Sequence, residues 1–164
     1  MRKFTLILPL IVVLTGCSEL LYTMSGASAN TTTYSRVSIK AIRLDKFSDV
    51  NTNGASWDPL GGRPDIFLKL EENDFKTRKE TFTNVFSDTP LTWRLSQPYV
   101  MNNFMSALTI SFYDEDELGQ DDYMGTVVFV PAQYKAGATQ YPTSVTLNSI
   151  YQPSVRVTLE LQWQ

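Results

Sequence analysis

The chain has no histidine and only one cysteine, Cys17, among its 164 residues. A Ser-His-Asp triad and a Cys-His pair both require histidine, so neither can form here. Zinc sites built on nitrogen and sulfur ligands are excluded for the same reason. A single cysteine also rules out a disulfide within the chain. Any catalytic or metal-binding chemistry must therefore use carboxylates, hydroxyls or lysines.

The longest hydrophobic run near the start of the chain is short. Phe4–Leu14 follows two basic residues and has eleven residues, whereas a membrane-spanning helix needs about 20. A basic start, a short apolar run and small residues before Cys17 form the layout of a secretion signal. The residues Leu14-Thr15-Gly16-Cys17 resemble the lipobox of bacterial lipoproteins. This resemblance implies that residues 1–16 are removed and that Cys17 carries acyl chains.

An acylated Cys17 predicts a protein of the cell envelope, held on a membrane by its lipid. Ser18 stands where lipoproteins retained in the inner membrane of many enteric bacteria have aspartate, so we expect the outer membrane. Residues 17–35 are rich in Ser, Thr, Ala and Asn, a composition that predicts a flexible tether. We expect one folded domain over residues 36–164.

Basic charge is scarce. The chain has 14 basic and 17 acidic residues, and losing Arg2 and Lys3 with the signal would change its formal charge from −3 to −5. Nucleic-acid binding requires a basic face. We therefore exclude nucleic acid as a partner.

Hydrophobic residues recur with a period of two from residue 36 onward. Val37 and Ile39 alternate with Ser38 and Lys40, as half-buried strands require. Loops rich in Gly, Pro, Asp and Asn separate such segments, and no long helical pattern interrupts them. The pattern predicts an all-β fold, an eight-stranded antiparallel β-sandwich. The eight predicted strands lie at Val37–Ala41, Ile66–Leu70, Thr77–Phe82, Leu91–Leu95, Leu108–Phe112, Met124–Val130, Ser144–Leu147 and Val155–Leu161.

Two loops carry most of the clustered acid, and each adjoins a predicted strand. Asp58 and Asp65 belong to the first, and Asp114, Asp116 and Asp122 to the second. Ca²⁺ takes six to eight oxygen ligands, which two such loops could supply together with carbonyls and water. Oxygen ligands without nitrogen or sulfur favour calcium over a transition metal. The alternative is that acids at loop tips only keep the surface hydrated.

Several segments together resemble a C2 domain over residues 36–164. They are Asp65–Leu70, Pro90–Trp93, Leu108–Asp116 and Asp122–Gly125. The resemblance implies an eight-stranded sandwich whose loops at one end bind Ca²⁺ through Asp58, Asp65, Asp114, Asp116 and Asp122. Asp58 and Asp65 are seven positions apart, one more than is usual in the family.

Two further groups of residues are candidates for contact with a membrane or a partner. The first is apolar and lies near the predicted loop tips, although packing between loops is an alternative for its tryptophan: Trp57, Leu60 and Leu118. The second is basic and resembles a strand surface with which some C2 domains bind anionic lipid head groups: Lys69, Lys76, Arg78 and Lys79. A hydrated strand face, or protection of a sheet edge, is the alternative for the basic group.

These observations favour a binding domain rather than an enzyme. We expect calcium to bind at the acidic loops, and the domain to dock on a membrane surface or on a protein complex of the envelope. A calcium-independent adaptor subunit of an outer-membrane secretion or transport assembly is the alternative. A hydrolase using a carboxylate pair would need a deep cleft with acids on opposite walls.

Overall fold

The computed structural model describes residues 33–51, 53–58, 62–73, 75–116, 119–135, 141–149 and 155–164. Eight antiparallel strands form two four-stranded sheets, with strand orders β4-β1-β8-β7 and β3-β2-β5-β6. The predicted eight-stranded all-β sandwich is therefore confirmed. The strands are β1 Val37–Lys46, β2 Ile66–Glu72, β3 Phe75–Arg78, β4 Leu91–Met101, β5 Leu108–Asp114, β6 Asp122–Phe129, β7 Ser144–Asn148 and β8 Arg156–Trp163, with a 3-10 helix at Pro131–Tyr134.

The core lies between the two sheets and is built from the residues that alternate along the strands. Ile66, Leu68 and Leu70 of β2 are fully buried, and so are Ile110 and Phe112 of the adjacent β5. Burying such a side chain contributes about 1.5–3 kcal/mol. The hydrophobic period that predicted the strands is thus also what drives the sheets together.

The third strand differs from its prediction. The pattern predicted Thr77–Phe82, whereas β3 spans Phe75–Arg78 and pairs with β2 directly after a tight turn. Asn73 in that turn has φ 51°, a left-handed conformation that asparagine tolerates and that two-residue hairpins require. Phe82 keeps only an isolated bridge to Ile66. The turn chemistry at Asn73, rather than the hydrophobic pattern, decides where β3 begins.

The sandwich includes two residues that were predicted to belong to the tether. The backbone N–H of Ser35 donates to the carbonyl of Gln164 at 2.8 Å. The ring of Tyr34 packs edge-to-face on Tyr141, with centroids 4.5 Å apart. These contacts extend the ordered sandwich beyond the predicted start at Arg36.

The predicted signal peptide, Cys17 and most of the tether lie outside the described residues, and their assignments stay predictions. No helix in the described part of the chain is long and apolar enough to cross a membrane.

Candidate metal centre

The first acidic loop joins β1 to β2 and is held by its tryptophan. The side chain of Trp57 is only 5% exposed, and its indole N–H donates to the carbonyl of Ser48 at 2.7 Å. A tryptophan packed in this way cannot enter a membrane interface, so the predicted contact role of Trp57 is wrong and the packing alternative is right. Its buried ring instead fixes the loop next to Asp58. Leu60 and Leu118, the other apolar candidates, lie outside the described residues.

The end of β5 places Asp114 at the centre of the site. Asp114 is fully buried and pairs in the sheet with Ile66 of β2 on one side and with Asp122 of β6 on the other. The backbone N–H of Asp65 donates to its Oδ1 at 2.6 Å. Its Oδ2 is buried and has no hydrogen-bond partner among the described residues. A buried carboxylate oxygen without a donor is costly unless a proton or a cation satisfies it.

Three carboxylates from the two loops lie close together in this part of the fold. Asp58, Asp114 and Asp116 each offer one oxygen, and the three oxygens lie within 4.8 Å of one another. Ca²⁺ binds oxygen at about 2.3–2.6 Å. A separation of this size is compatible with one ion shared by the three oxygens. Of the five predicted ligands, these three therefore share one point in the fold.

The charges at this point repel one another when no cation is present. The pKa of Asp114 is raised to about 7, and burial is the largest cause. The hydrogen bond from the backbone of Asp65 lowers this pKa, whereas the charges of the nearby carboxylates of Asp58, Asp116 and Asp65 raise it. The pKa of Asp116 is also raised, first by burial and then by the charges of Asp122 and Asp58. Both shifts mean that a proton or a metal ion is favoured over bare carboxylates.

Asp65 and Asp122 lie close to the cluster but outside the group of three oxygens. Asp65 accepts a hydrogen bond at 2.6 Å from the backbone N–H of Asn84, and its own backbone positions Asp114. The negative charge of Asp122 raises the pKa of Asp116. The predicted ligand roles of Asp65 and Asp122 are not tested by this geometry and stay predictions.

Two residues that help to build the site were missed by the sequence analysis. A Cβ on Gly62 would lie 2.3 Å from Asp58 Oδ2, so a side chain there would displace that carboxylate. Asn84 has φ 52° and aims its N–H at Asp65. The consecutive glycines at 61 and 62 are a sequence signal for a close approach of this kind, whereas Asn84 carries no comparable signal.

Three of the four predicted basic residues gather on the outer face of the β3-β2-β5-β6 sheet, the sheet that also carries Asp114. A shallow depression of about 340 Å³ is lined by Lys69, Glu71, Lys76, Thr77 and Arg78. Lys76 pairs with Glu71 at 3.1 Å, and Lys69 lies 4.1 Å above the ring of Tyr113. Lys79 is not among the described residues that line the depression.

The acids near these cations reduce the net positive charge of the depression. Arg78 forms an ion pair with Glu115, and Lys76 pairs with Glu71. The hydrated-strand alternative therefore gains support from the contacts, although no observation tests anion binding directly. The role of the basic group as an anionic lipid contact stays a prediction.

Comparison with solved structures identifies the fold. Human GIVD cytosolic phospholipase A2, in complex with methyl gamma-linolenyl fluorophosphonate inhibitor and terbium chloride, matches 80% of this chain and 18% of its own, with a TM-score of 0.53 and 14% identity. A structure of two C2 domains of extended synaptotagmin 2 matches 80% of this chain and 42% of its own, with a TM-score of 0.53 and 13% identity. The chain thus spans less than a fifth of the phospholipase, and the architecture is a C2-like β-sandwich. No family model matches the sequence, and no curated protein is significantly similar to it.

Proposed function

We propose that this chain is a calcium-binding domain of a lipid-anchored envelope protein, which docks on a membrane surface or an envelope partner when calcium is bound. The observation that carries the proposal is the convergence of three aspartate oxygens within 4.8 Å of one another, one of them from Asp114, whose buried Oδ2 has no hydrogen-bond partner among the described residues. Carboxylate oxygen is the ligand that hard divalent cations prefer. Since the carboxylates meet at one point rather than facing each other across a cleft, the site suits ion binding better than glycoside hydrolysis.

Two observations extend the proposal to docking. The described loops at the ion-binding end expose Val50 and Phe86, which are 42% and 52% accessible. The guanidinium of Arg63 lies 3.4 Å above the ring of Phe86. An exposed aromatic ring beside a cation gives these loops an amphipathic surface suited to a membrane interface or a protein partner.

Calcium should stabilise the folded domain by mass action. At a concentration a hundredfold above its Kd, a ligand that binds only the folded state contributes about 2.7 kcal/mol, which would raise the Tm by roughly 10 °C. The full chain, purified in detergent and melted with calcium or with EDTA, should show this shift. Asp116→Ala should abolish it, because one of the three converging carboxylates is gone.

Asp121→Ala is the matched control for that experiment. It removes one negative charge from the same loop but no member of the cluster, so most of the calcium shift should survive. A wild-type chain whose Tm does not respond to millimolar calcium, and which therefore behaves like Asp116→Ala, would contradict the proposal.

The anchor requires its own test, because Cys17 lies outside the described residues. Bacteria expressing the full chain and fed labelled palmitate should incorporate the label into it, and Cys17→Ala should prevent incorporation while the chain leaves the membrane fraction. We expect the label to co-fractionate with the outer membrane. Unlabelled wild-type chain recovered from the soluble fraction would refute lipid anchoring without affecting the calcium site.

A further inference from the structure

Glu115 stands between two of the converging aspartates but is bound to a different set of partners. Its carboxylate forms an ion pair with Arg78 and accepts a hydrogen bond from the hydroxyl of Thr81 at 2.6 Å. Its backbone N–H donates to the carbonyl of Asp65 at 2.8 Å. The residue that connects Asp114 to Asp116 is therefore fixed at both its backbone and its side chain.

Arg78, the partner of Glu115, is itself held in place. Its guanidinium lies 3.6 Å above the ring of Phe67 and donates to the hydroxyl of Thr81 at 3.2 Å. Phe67 is fully buried and stacks on Tyr113, with centroids 5.4 Å apart. An arginine that stacks on a fixed ring and also forms directed hydrogen bonds is well suited to orient a carboxylate.

We propose that Arg78, together with Thr81, positions the loop after β5 for metal binding by holding Glu115, and that this contact sets the affinity of the site although neither residue touches the ion. The inference rests on the proposed function. Mutually repelling carboxylates move apart unless their backbone is restrained. Residues that do not bind the ion but hold the ligand-bearing backbone in place therefore preorganise the site. Removing such outer partners of a metal site costs about 10–100-fold in affinity.

The charge of Arg78 makes this inference sharply testable. By Coulomb's law alone, removing a positive charge near a cation site should strengthen cation binding. Loss of a positioning contact should weaken it. Arg78→Met keeps an unbranched apolar stem over Phe67 and removes the guanidinium, so the two explanations predict opposite signs.

Lys76→Met is the matched control. Lys76 lies two residues earlier on the same strand and pairs with Glu71 rather than with the loop, so its loss changes the charge without touching the network. Thr81→Val is a second test, because it removes the hydroxyl that bonds to Glu115 and leaves the net charge unchanged.

The experiment is calorimetric titration of calcium into the full chain in detergent, with the Tm of each calcium-free variant measured alongside. We expect at least about tenfold weaker binding for Arg78→Met and for Thr81→Val, and affinity no weaker than wild type for Lys76→Met. A purely structural role would lower the Tm of the calcium-free variants and leave the affinity unchanged.

The inference is overturned if Arg78→Met binds calcium as tightly as wild type or more tightly. Should Arg78→Met not fold, unchanged affinity in Thr81→Val overturns it equally. A wild-type chain that binds no calcium would contradict the proposed function itself. Calcium binding by the wild type with equal affinity in the variants would contradict only the inference about Arg78 and Thr81.

Discussion

Asp114→Asn is expected to make the calcium-free domain more stable at neutral pH, by on the order of 4 kcal/mol, and at the same time to abolish calcium binding. The folded state raises the pKa of Asp114 from 3.8 to about 7, with burial as the largest cause. One pKa unit corresponds to about 1.4 kcal/mol, which gives this magnitude. Asparagine carries no charge to bury, and its carbonyl oxygen can still accept the hydrogen bond from the backbone of Asp65.

The pH dependence of this effect has a definite sign. Between pH 4 and 7 the folded state holds a proton on Asp114 that the unfolded state has released, so the stability of the wild type falls as the pH rises through this range. The contribution of the protonated Asp114 carboxyl to the free energy of unfolding is fully present below pH 4 and is lost above about pH 7. Asp114→Asn should therefore exceed wild type clearly at pH 8 and much less at pH 5.

Urea unfolding of the full chain in EDTA, from pH 5 to pH 8, measures this difference. Asp121→Asn changes the charge of the same loop without entering the cluster and should leave most of the pH dependence in place. Wild-type stability that stays flat over this range, or an Asp114→Asn chain that is less stable than wild type at pH 8, would show that Asp114 does not carry a buried charge.

Trp93→Ala is expected to cost about 3–5 kcal/mol of folding stability, the range for truncating a buried large aromatic side chain. Trp93 is fully buried in β4. Its ring packs on Phe82, 5.0 Å away, and on Phe112 of the opposite sheet, 5.8 Å away. Its indole N–H donates to the carbonyl of Glu80 at 2.8 Å. One side chain thus joins both sheets and the loop between β3 and β4.

Trp93→Phe separates packing from hydrogen bonding in that prediction. Phenylalanine keeps an aromatic ring in the core and loses mainly the bond to Glu80, so a cost of about 1–2 kcal/mol is expected. Equilibrium urea unfolding with unchanged slope measures both variants. A Trp93→Ala chain within 1 kcal/mol of wild type would mean that the two sheets do not depend on this contact.

The sequence predicts the fold well because hydrophobic residues that recur at every second position indicate directly which side chains face the core. It predicts strand ends poorly, since those depend on local backbone geometry. In β4, four residues from Leu95 to Pro98 stand opposite Lys40 alone, because the pairing of Ile39 with Tyr99 is followed by that of Ala41 with Arg94. An edge strand tolerates this bulge and its proline, and the predicted strand ended at Leu95.

The candidate site is predicted in outline but not in its contacts. Loop order brings Asp58 near Asp114 and Asp116, and the extra residue in the spacing between Asp58 and Asp65 does not prevent this. The sequence spacing does not predict in which direction the side chains of these loops point. Nothing in the spacing reveals that Asp65 accepts a bond from Asn84, or that Trp57 points inward, because both depend on tertiary packing of the loops.

A crystal structure of the chain grown with calcium tests the central claim most directly. The account predicts a single strong ion peak within about 2.3–2.6 Å of oxygens from Asp58, Asp114 and Asp116, with Oδ2 of Asp114 among its ligands. An empty cluster at millimolar calcium, with Asp114 Oδ2 hydrogen-bonded to a neighbouring carboxylate through a shared proton, would contradict it.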